Sequence, residues 1–289
     1  MSMGGACWNE AKGGSMGRMT TRQPVLRLRA GRSARRPDTL AVEEPLAVRV
    51  GGETVTLTMR TPGQDFDLIA GWLVSEGVVA APADIVTMRM CTDEDNTVDV
   101  TLAPDAVPPR PRAFVTTSAC GVCGSDSVEE VRTAMRWRVL DDETRLDVGI
   151  LAALPDLLRS QQKVFDRTGG LHAAGLFTAG GDCVVVREDV GRHNAVDKVV
   201  GAACRSGRLP LRGHVLQVSG RASFELVHKA AAAGVPAIAA VSAPSSLAVD
   251  LAEECGLTLL GFVRGGGMNV YTHQERVRLG PFPRQRNVT

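Results

Sequence analysis

No apolar run in this 289-residue chain reaches the roughly 18 residues that a membrane-spanning helix needs, so a membrane protein is not expected. Net charge is equally scarce: at +1 it gives no global reason to bind nucleic acid or an anionic membrane. Seven cysteines, an odd number in a chain of this length, do not make a secreted disulfide framework and fit a reducing cytoplasm better. The five histidines, His172, His193, His214, His228 and His273, stand singly, and there is one close cysteine pair without a second, so no structural zinc box is complete. Neither G-x-x-x-x-G-K-[ST] nor the dinucleotide fingerprint occurs, which removes the sequence support for NTP hydrolysis and for a Rossmann redox cofactor. What is present is ordinary globular composition, 44% hydrophobic and 22% charged, in a chain long enough for two domains.

The one close cysteine pair is Cys120 and Cys123, in Thr116-Thr-Ser-Ala-Cys-Gly-Val-Cys-Gly-Ser-Asp126. Small residues and glycines surround it, with nothing bulkier than Val122, so these thiols are placed to react or to bind. Ser125 or Asp126 followed by Glu129 reads as a helix start, which sets both thiols just upstream of a helix dipole. Three chemistries use such a pair: metal binding, disulfide exchange, and sulfur relay through a persulfide. The first lacks partner ligands; an incidental surface pair is the plain alternative.

Residues 1–38 crowd Arg18, Arg22, Arg27, Arg29, Arg32, Arg35 and Arg36 against only Glu10 and Asp38, and read as a disordered basic tail. Residues 39–112 read as a small α+β domain. Pro45–Val50 and Glu53–Met59 flank Gly51-Gly52 as a hairpin, Asp65 to Gly77 carries helical spacing, and 85–102 alternates around Asp93–Asn96 as a second hairpin. Residues 113–130 form a mobile cysteine-containing loop. Residues 131–289 form a ligand-binding α/β domain: short apolar runs at 172–178, 183–187, 215–218, 237–241 and 258–262 alternate with helical patterns at 147–162, 193–206, 222–234 and 245–255. Uniformly apolar strands separated by helices predict a mostly parallel sheet covered on both faces, with ligands at the carboxyl ends of its strands.

Four of the predicted strand ends are rich in glycine: Thr168-Gly169-Gly170-Leu-His172, Glu188-Asp-Val-Gly191-Arg192-His193, Ser219-Gly220-Arg221, and Phe262-Val263-Arg264-Gly265-Gly266-Gly267. Glycine lets backbone N–H groups approach a ligand, helix N-termini favour anions, and Arg192, Arg221 and Arg264 add bidentate donors. A nucleotide or other phosphorylated ligand is the expected guest. His172 and His193 either face it or are satisfied inside the core. Leu171-His172-Ala-Ala174 lacks the glutamate that a zinc deaminase carries two residues after its histidine, and no Pro-Cys-x-x-Cys follows, so deamination is not expected.

Taken together, Cys120-Gly-Val-Cys123-Gly, Thr168-Gly-Gly-x-His172-Ala-Ala, Glu188-Asp-Val-Gly-Arg-His-Asn-Ala-Val-Asp-Lys198, Ser219-Gly-Arg221 and Phe262-x-Arg264 resemble the FdhD family of formate dehydrogenase accessory proteins, as do Glu44-Pro-Leu46 and Met59-x-Thr-Pro62. The resemblance runs from about residue 40 to 280. It implies a cytoplasmic homodimeric sulfur carrier whose second domain is a three-layer α/β unit similar to the cytidine-deaminase-like fold. It also implies the partners: a cysteine desulfurase that donates sulfane sulfur, and formate dehydrogenase, whose bis(molybdopterin guanine dinucleotide) molybdenum cofactor receives it while bound transiently as substrate. By the same resemblance Cys120 is the persulfide-bearing thiol, Cys123 its partner, and Phe262 to Gly267 line the guanine dinucleotide site. The alternative is a chaperone that binds the molybdenum cofactor and whose cysteine pair is structural or redox only.

Overall fold

The computed structural model describes residues 19–110 and 136–280. Cys120 and Cys123, with the whole loop expected at 113–130, lie outside the described residues.

The arginine-rich stretch corrects the first expectation. From Thr20 onward it is an antiparallel hairpin of β1 (Thr20–Arg29) and β2 (Arg32–Ala41), not a tail. Ala30 and Gly31, at φ 47° and 75°, make the two-residue left-handed turn that matches strand twist. The apolar positions Val25, Leu26 and Leu28 sit among arginines, so a reading by charge density missed the strand.

The small unit follows the predicted pattern. Strands β3 (Glu44–Val50) and β4 (Glu53–Arg60) turn at Gly51-Gly52, α1 (Asp65–Ser75) follows, and β5 (Ile85–Met90) pairs with β6 (Thr97–Leu102). The two hairpins join through a parallel β3–β6 contact, giving the order β4-β3-β6-β5.

In the larger unit, β7 (Leu146–Asp147) leads into α2 (Val148–Ser160), α3 (Lys163–Thr168), β8 (His172–Thr178) and β9 (Cys183–Asp189). Then come α4 (Arg192–Arg205), β10 (His214–Val218), α5 (Phe224–Ala232), β11 (Ala237–Ala240), α6 (Ser246–Cys255), β12 (Thr258–Arg264) and β13 (Gly267–Val270), and β14 (Val277–Arg278) pairs with β7. The fold is α/β, with six strands in the order β13-β12-β11-β10-β8-β9. Helix α2 buries Leu151, Leu154 and Leu158 against Phe177, Val215 and Leu260 on one face. The other face sets Leu216, Val218, Ile238 and Leu259 against the α4–α6 layer. Each such side chain contributes about 1.5–3 kcal/mol of transfer free energy. The sheet is mixed rather than mostly parallel: β10–β11 and β11–β12 are parallel, while β8–β10, β8–β9 and β12–β13 are antiparallel. The cause is local. Tight turns at 179–182 and at Gly265-Gly266 reverse the chain where a parallel pair would need a crossover.

The two units share one core, and α1 is its pivot. Every residue of α1 after Asp65 is buried, as expected of a helix apolar nearly all round. It crosses α4 so closely that a Cβ on Gly71 would collide with the Asp197 carbonyl, and one on Gly201 with the Asp67 carbonyl. Charge locks this seam. Asp67 takes Arg187 at 2.8 Å and Arg205 at 2.6 Å, Asp197 takes Lys229 at 2.8 Å and the Ser75 hydroxyl at 3.1 Å, and fully buried Lys198 meets Asp189 at 2.7 Å. Burial pushes the Asp197 carboxyl up, and Lys229 and Ser75 oppose it.

Candidate functional site

Strand register brings three of the four glycine-rich junctions, with the first residues of Phe262–Gly267, to one edge of the sheet. His172 opens β8 opposite Asp189, which closes β9. Because β8 runs antiparallel to β10, its start lies beside the carboxyl end of β10, where Val218 pairs with Ala174. From there backbone hydrogen bonds run in sequence across the edge. Ser219 N–H donates to Ala173 O at 3.0 Å, Ser242 N–H to Gly220 O at 3.2 Å, and Phe262 N–H to Ser242 O at 3.2 Å. The Ser219 hydroxyl accepts from Ala173 N–H at 2.9 Å, tying β8 to the β10 loop. His172, Gly191, Arg192, His193, Ser219, Gly220 and Phe262 are therefore one contiguous group, with Arg221 exposed at its rim.

Two helices aim N-termini at this edge without side-chain caps. Helix α4 starts from Gly191, which has no side chain to offer, and α5 starts from Ser223, whose hydroxyl makes no capping bond. Asp147 caps α2 and Ser245 caps α6, while α1 and α3 also lack side-chain caps, so what sets this edge apart is the orphaned donors beside its two helix starts. The Ser223 hydroxyl and Arg192 Nε are buried with no hydrogen-bond partner among the described residues. Free helix N–H groups, an orphaned hydroxyl and a guanidinium in one place are donors arranged for an anion.

A carboxylate that the sequence reading did not single out completes the group. Glu225, in the first turn of α5, contacts Nε2 of His193, and both side chains are about nine-tenths buried. Burial alone would raise the Glu225 carboxyl, but the bond from His193 and the charges of His193, Lys229 and Arg192 prevail and hold it below its usual range. His172 is shifted down by burial first and by Arg192 and His193 second, so at neutral pH it is an uncharged imidazole. Asp189 is the anchor beneath them. It accepts from Thr61 N–H at 3.1 Å, Gly191 N–H at 2.8 Å and the Asn194 amide at 3.0 Å, fixing the α4 start against the small unit. The Asp-x-x-x-x-Asn spacing of Asp189 and Asn194 was the available signal; for Glu225 only its place beside Ser223 hinted at a role.

Phe262 has φ 53°, a left-handed backbone for a bulky residue, at a register break between Gly261 and Arg264. Such strain in a non-glycine residue persists where the surroundings over-determine it, and it concentrates at functional sites. Arg264 lies over the Phe262 ring at 5.6 Å. Other expected residues have different duties. Val263 is fully buried in the core under α2, so its side chain packs rather than lines the edge. Gly265 and Gly266, at φ 57° and 77°, form the β12–β13 turn, and Gly267 begins β13 opposite Arg264. Gly169 is the left-handed cap of α3, and Gly170 abuts Ala41 at the base of the hairpin.

Three of the four thiols among the described residues suit sulfur chemistry poorly. Cys204 is buried and its thiol is pushed up to about 12, chiefly by burial. Burial also raises Cys183. Cys91 is half-buried against Arg49 at 3.4 Å, a guanidinium already committed to Asp99 at 2.7 Å.

Comparison with known proteins places this geometry. A sulfur carrier protein FdhD of Streptomyces avermitilis is 56% identical over 275 residues, spanning 91% of this chain and 98% of its own length. Its counterpart in Mycobacterium tuberculosis is 52% identical, spanning 91% of this chain and all of its own. A crystal structure from Desulfotalea psychrophila, assigned as a formate dehydrogenase accessory protein, superposes with a TM-score of 0.73 over 90% of this chain at 23% identity, a likeness of fold. Residues 41–278, which include every element of the edge just described, match the profile of the FdhD/NarQ family, and the chain belongs to that family.

Proposed function

We propose that this protein is a sulfur carrier acting through a persulfide. The thiolate of Cys120, with Cys123 as its partner, attacks the outer sulfur of a persulfide on a cysteine desulfurase; an S–S bond to Cys120 forms, the donor's S–S bond breaks, and the donor leaves as a thiolate. In the second step the Cys123 thiolate attacks Cys120 Sγ: an S–S bond joins the two cysteines, the persulfide S–S bond breaks, and the outer sulfur leaves at the sulfide level for the molybdenum of a bis(molybdopterin guanine dinucleotide) cofactor, held as a transient substrate on its way to formate dehydrogenase. The protein works as a cytoplasmic homodimer in this reading.

The observation that carries the substrate half is the edge from His172 to Phe262. Uncapped α4 and α5, the orphaned Ser223 hydroxyl, Arg192 and Arg221 form a seat for phosphates, and Phe262 with Arg264 offers a flat apolar and cationic surface for a base. The cysteine assignment rests on the resemblance to the FdhD family, and the burial that raises the Cys204 and Cys183 thiols supports it. The full chain, incubated with a cysteine desulfurase and cysteine, should gain one sulfur by intact mass, removable by reductant. Cys120→Ala should gain none and fail to activate formate dehydrogenase, yet still bind guanosine diphosphate; full activation by that variant would end the assignment. Arg264→Ala should weaken guanosine diphosphate binding about tenfold, and an unchanged Kd would remove Arg264 from the site.

A further inference from the structure

The β1–β2 hairpin is outside the family-matched residues 41–278 apart from its final residue, and it is built unlike anything else in the molecule. Two ten-residue strands, at about 3.4 Å per residue, make a ribbon roughly 30 Å long. Only its base touches the body: Arg167 donates to the Thr20 hydroxyl at 3.4 Å and Ala41 lies against Gly170, while Val42 N–H donates to Met19 O at 3.0 Å and closes the hairpin on itself. An isolated two-stranded ribbon is marginally stable in water and gains stability by covering a face.

The register separates two faces. One carries Arg27, Arg29, Arg32 and Arg36 with Val25 and Leu40 between them and the base, and the other carries Pro24, Leu26, Leu28 and Pro37 with Arg22 and Arg35 beside them. Leu26 is 61% exposed and Leu28 71%, two of the most exposed large hydrophobic residues in the structure. An apolar centre flanked by cations is the anatomy of a docking face, and the four-arginine face keeps the ribbon soluble.

Charge selects the occupant. Six arginines and one aspartate between Thr20 and Ala41 give the ribbon +5 in a chain of net +1, leaving −4 on everything else. Among the described residues only Arg27 meets a carboxylate, Asp38 at 3.6 Å. A complementary surface among the described residues is on α6, whose sequence has no cation and whose outer side exposes Leu247 with Asp250, Glu253 and Glu254, with His273 4.0 Å from Glu253; the exposed Leu247 sets it apart from the acidic turn at 93–95. We propose that the hairpin is an exchange arm: it lays its Leu26–Leu28 face on the Leu247, Asp250 and Glu253 surface of a second copy of this chain. Two reciprocal arms make an isologous interface, and each begins beside the Gly169–Gly170 loop, which precedes the site strand β8. The inference rests on the homodimer of the proposed function and names its contact.

Light scattering coupled to size-exclusion chromatography on the full chain tests it. The unaltered protein should be a dimer. Leu26→Ser with Leu28→Ser, and separately Arg22→Glu with Arg35→Glu, should raise the dimer dissociation constant at least tenfold. Asp250→Lys with Glu253→Lys should do the same, and combining it with the Arg22→Glu and Arg35→Glu changes should restore dimerisation. These positions are exposed, so unchanged circular dichroism is expected throughout. A dimer indifferent to the arm substitutions overturns the arm while leaving the homodimer; a monomeric unaltered chain overturns both, and sulfur loading of Cys120 is read independently of either. Loss of dimer in the arm variants without rescue by the α6 reversal overturns the α6 seat.

Discussion

The seam between α1 and α4 and the edge running from His172 to Phe262 are both rich in buried polar groups, and they treat them in opposite ways. At the seam Asp67, Asp189 and Asp197 each hold a cation at 2.6–2.8 Å. At the edge Arg192 Nε and the Ser223 hydroxyl are buried with nothing opposite them among the described residues, and two helices end uncapped. An unmade bond to a buried polar group costs about 1–3 kcal/mol, so a fold keeps such groups where a ligand can answer them. The seam's aspartates are answered by cations from within the protein, whereas the edge keeps donors for a ligand beside its paired His193 and Glu225.

That contrast can be broken by substitution. The largest effect is expected from Gly201→Val. Its side chain has to enter the space of the Asp67 carbonyl, the helices must separate, and the loss should be about 4 kcal/mol or more, read as a lower urea midpoint or no folded protein. Lys198→Met strands Asp189 without its buried cation and should cost about 3–5 kcal/mol in the same titration. A midpoint within error of the parent would mean that the seam is not held by charge.

Arg192→Ala should behave inversely. Stability should change by less than about 1 kcal/mol, while guanosine diphosphate affinity, measured by calorimetry, should fall by about 1.5–3 kcal/mol, the worth of a charge-assisted bond. Equal losses in both measurements would erase the distinction between the regions. The smallest effect concerns acid. His172 has a folded value below its unfolded one of about 6.5, so the unfolded chain takes up a proton first; stability is full above about pH 6.5 and declines as pH falls below it. His172→Gln should flatten part of that decline, and identical pH profiles for parent and variant would show that the imidazole is not held neutral.

Much of the architecture was readable because it is local. Alternation around Gly51-Gly52 foretold β3 and β4, and the apolar runs foretold β8 to β12. The hairpin of β1 and β2 escaped because six arginines dominate a reading by composition and clear alternation is confined to Leu26-Arg-Leu28-Arg29. The mixed sheet escaped because tight turns at 179–182 and 265–266 look, in sequence, like any glycine-rich loop.

The sequence by itself determined which residue types occupy each junction: glycines for close approach, arginines for anions, and a cysteine pair among small neighbours. Only the tertiary structure decided that β8 runs back along β10, which carries His172 to the carboxyl ends of the neighbouring strands, that Glu225 meets His193, and that a bulge turns Phe262 into a left-handed conformation. The physical reason is range. Periodicity, caps and turns are settled by residues a few positions apart, whereas a buried ion pair or a strained backbone persists only when packing from distant segments outweighs its local cost.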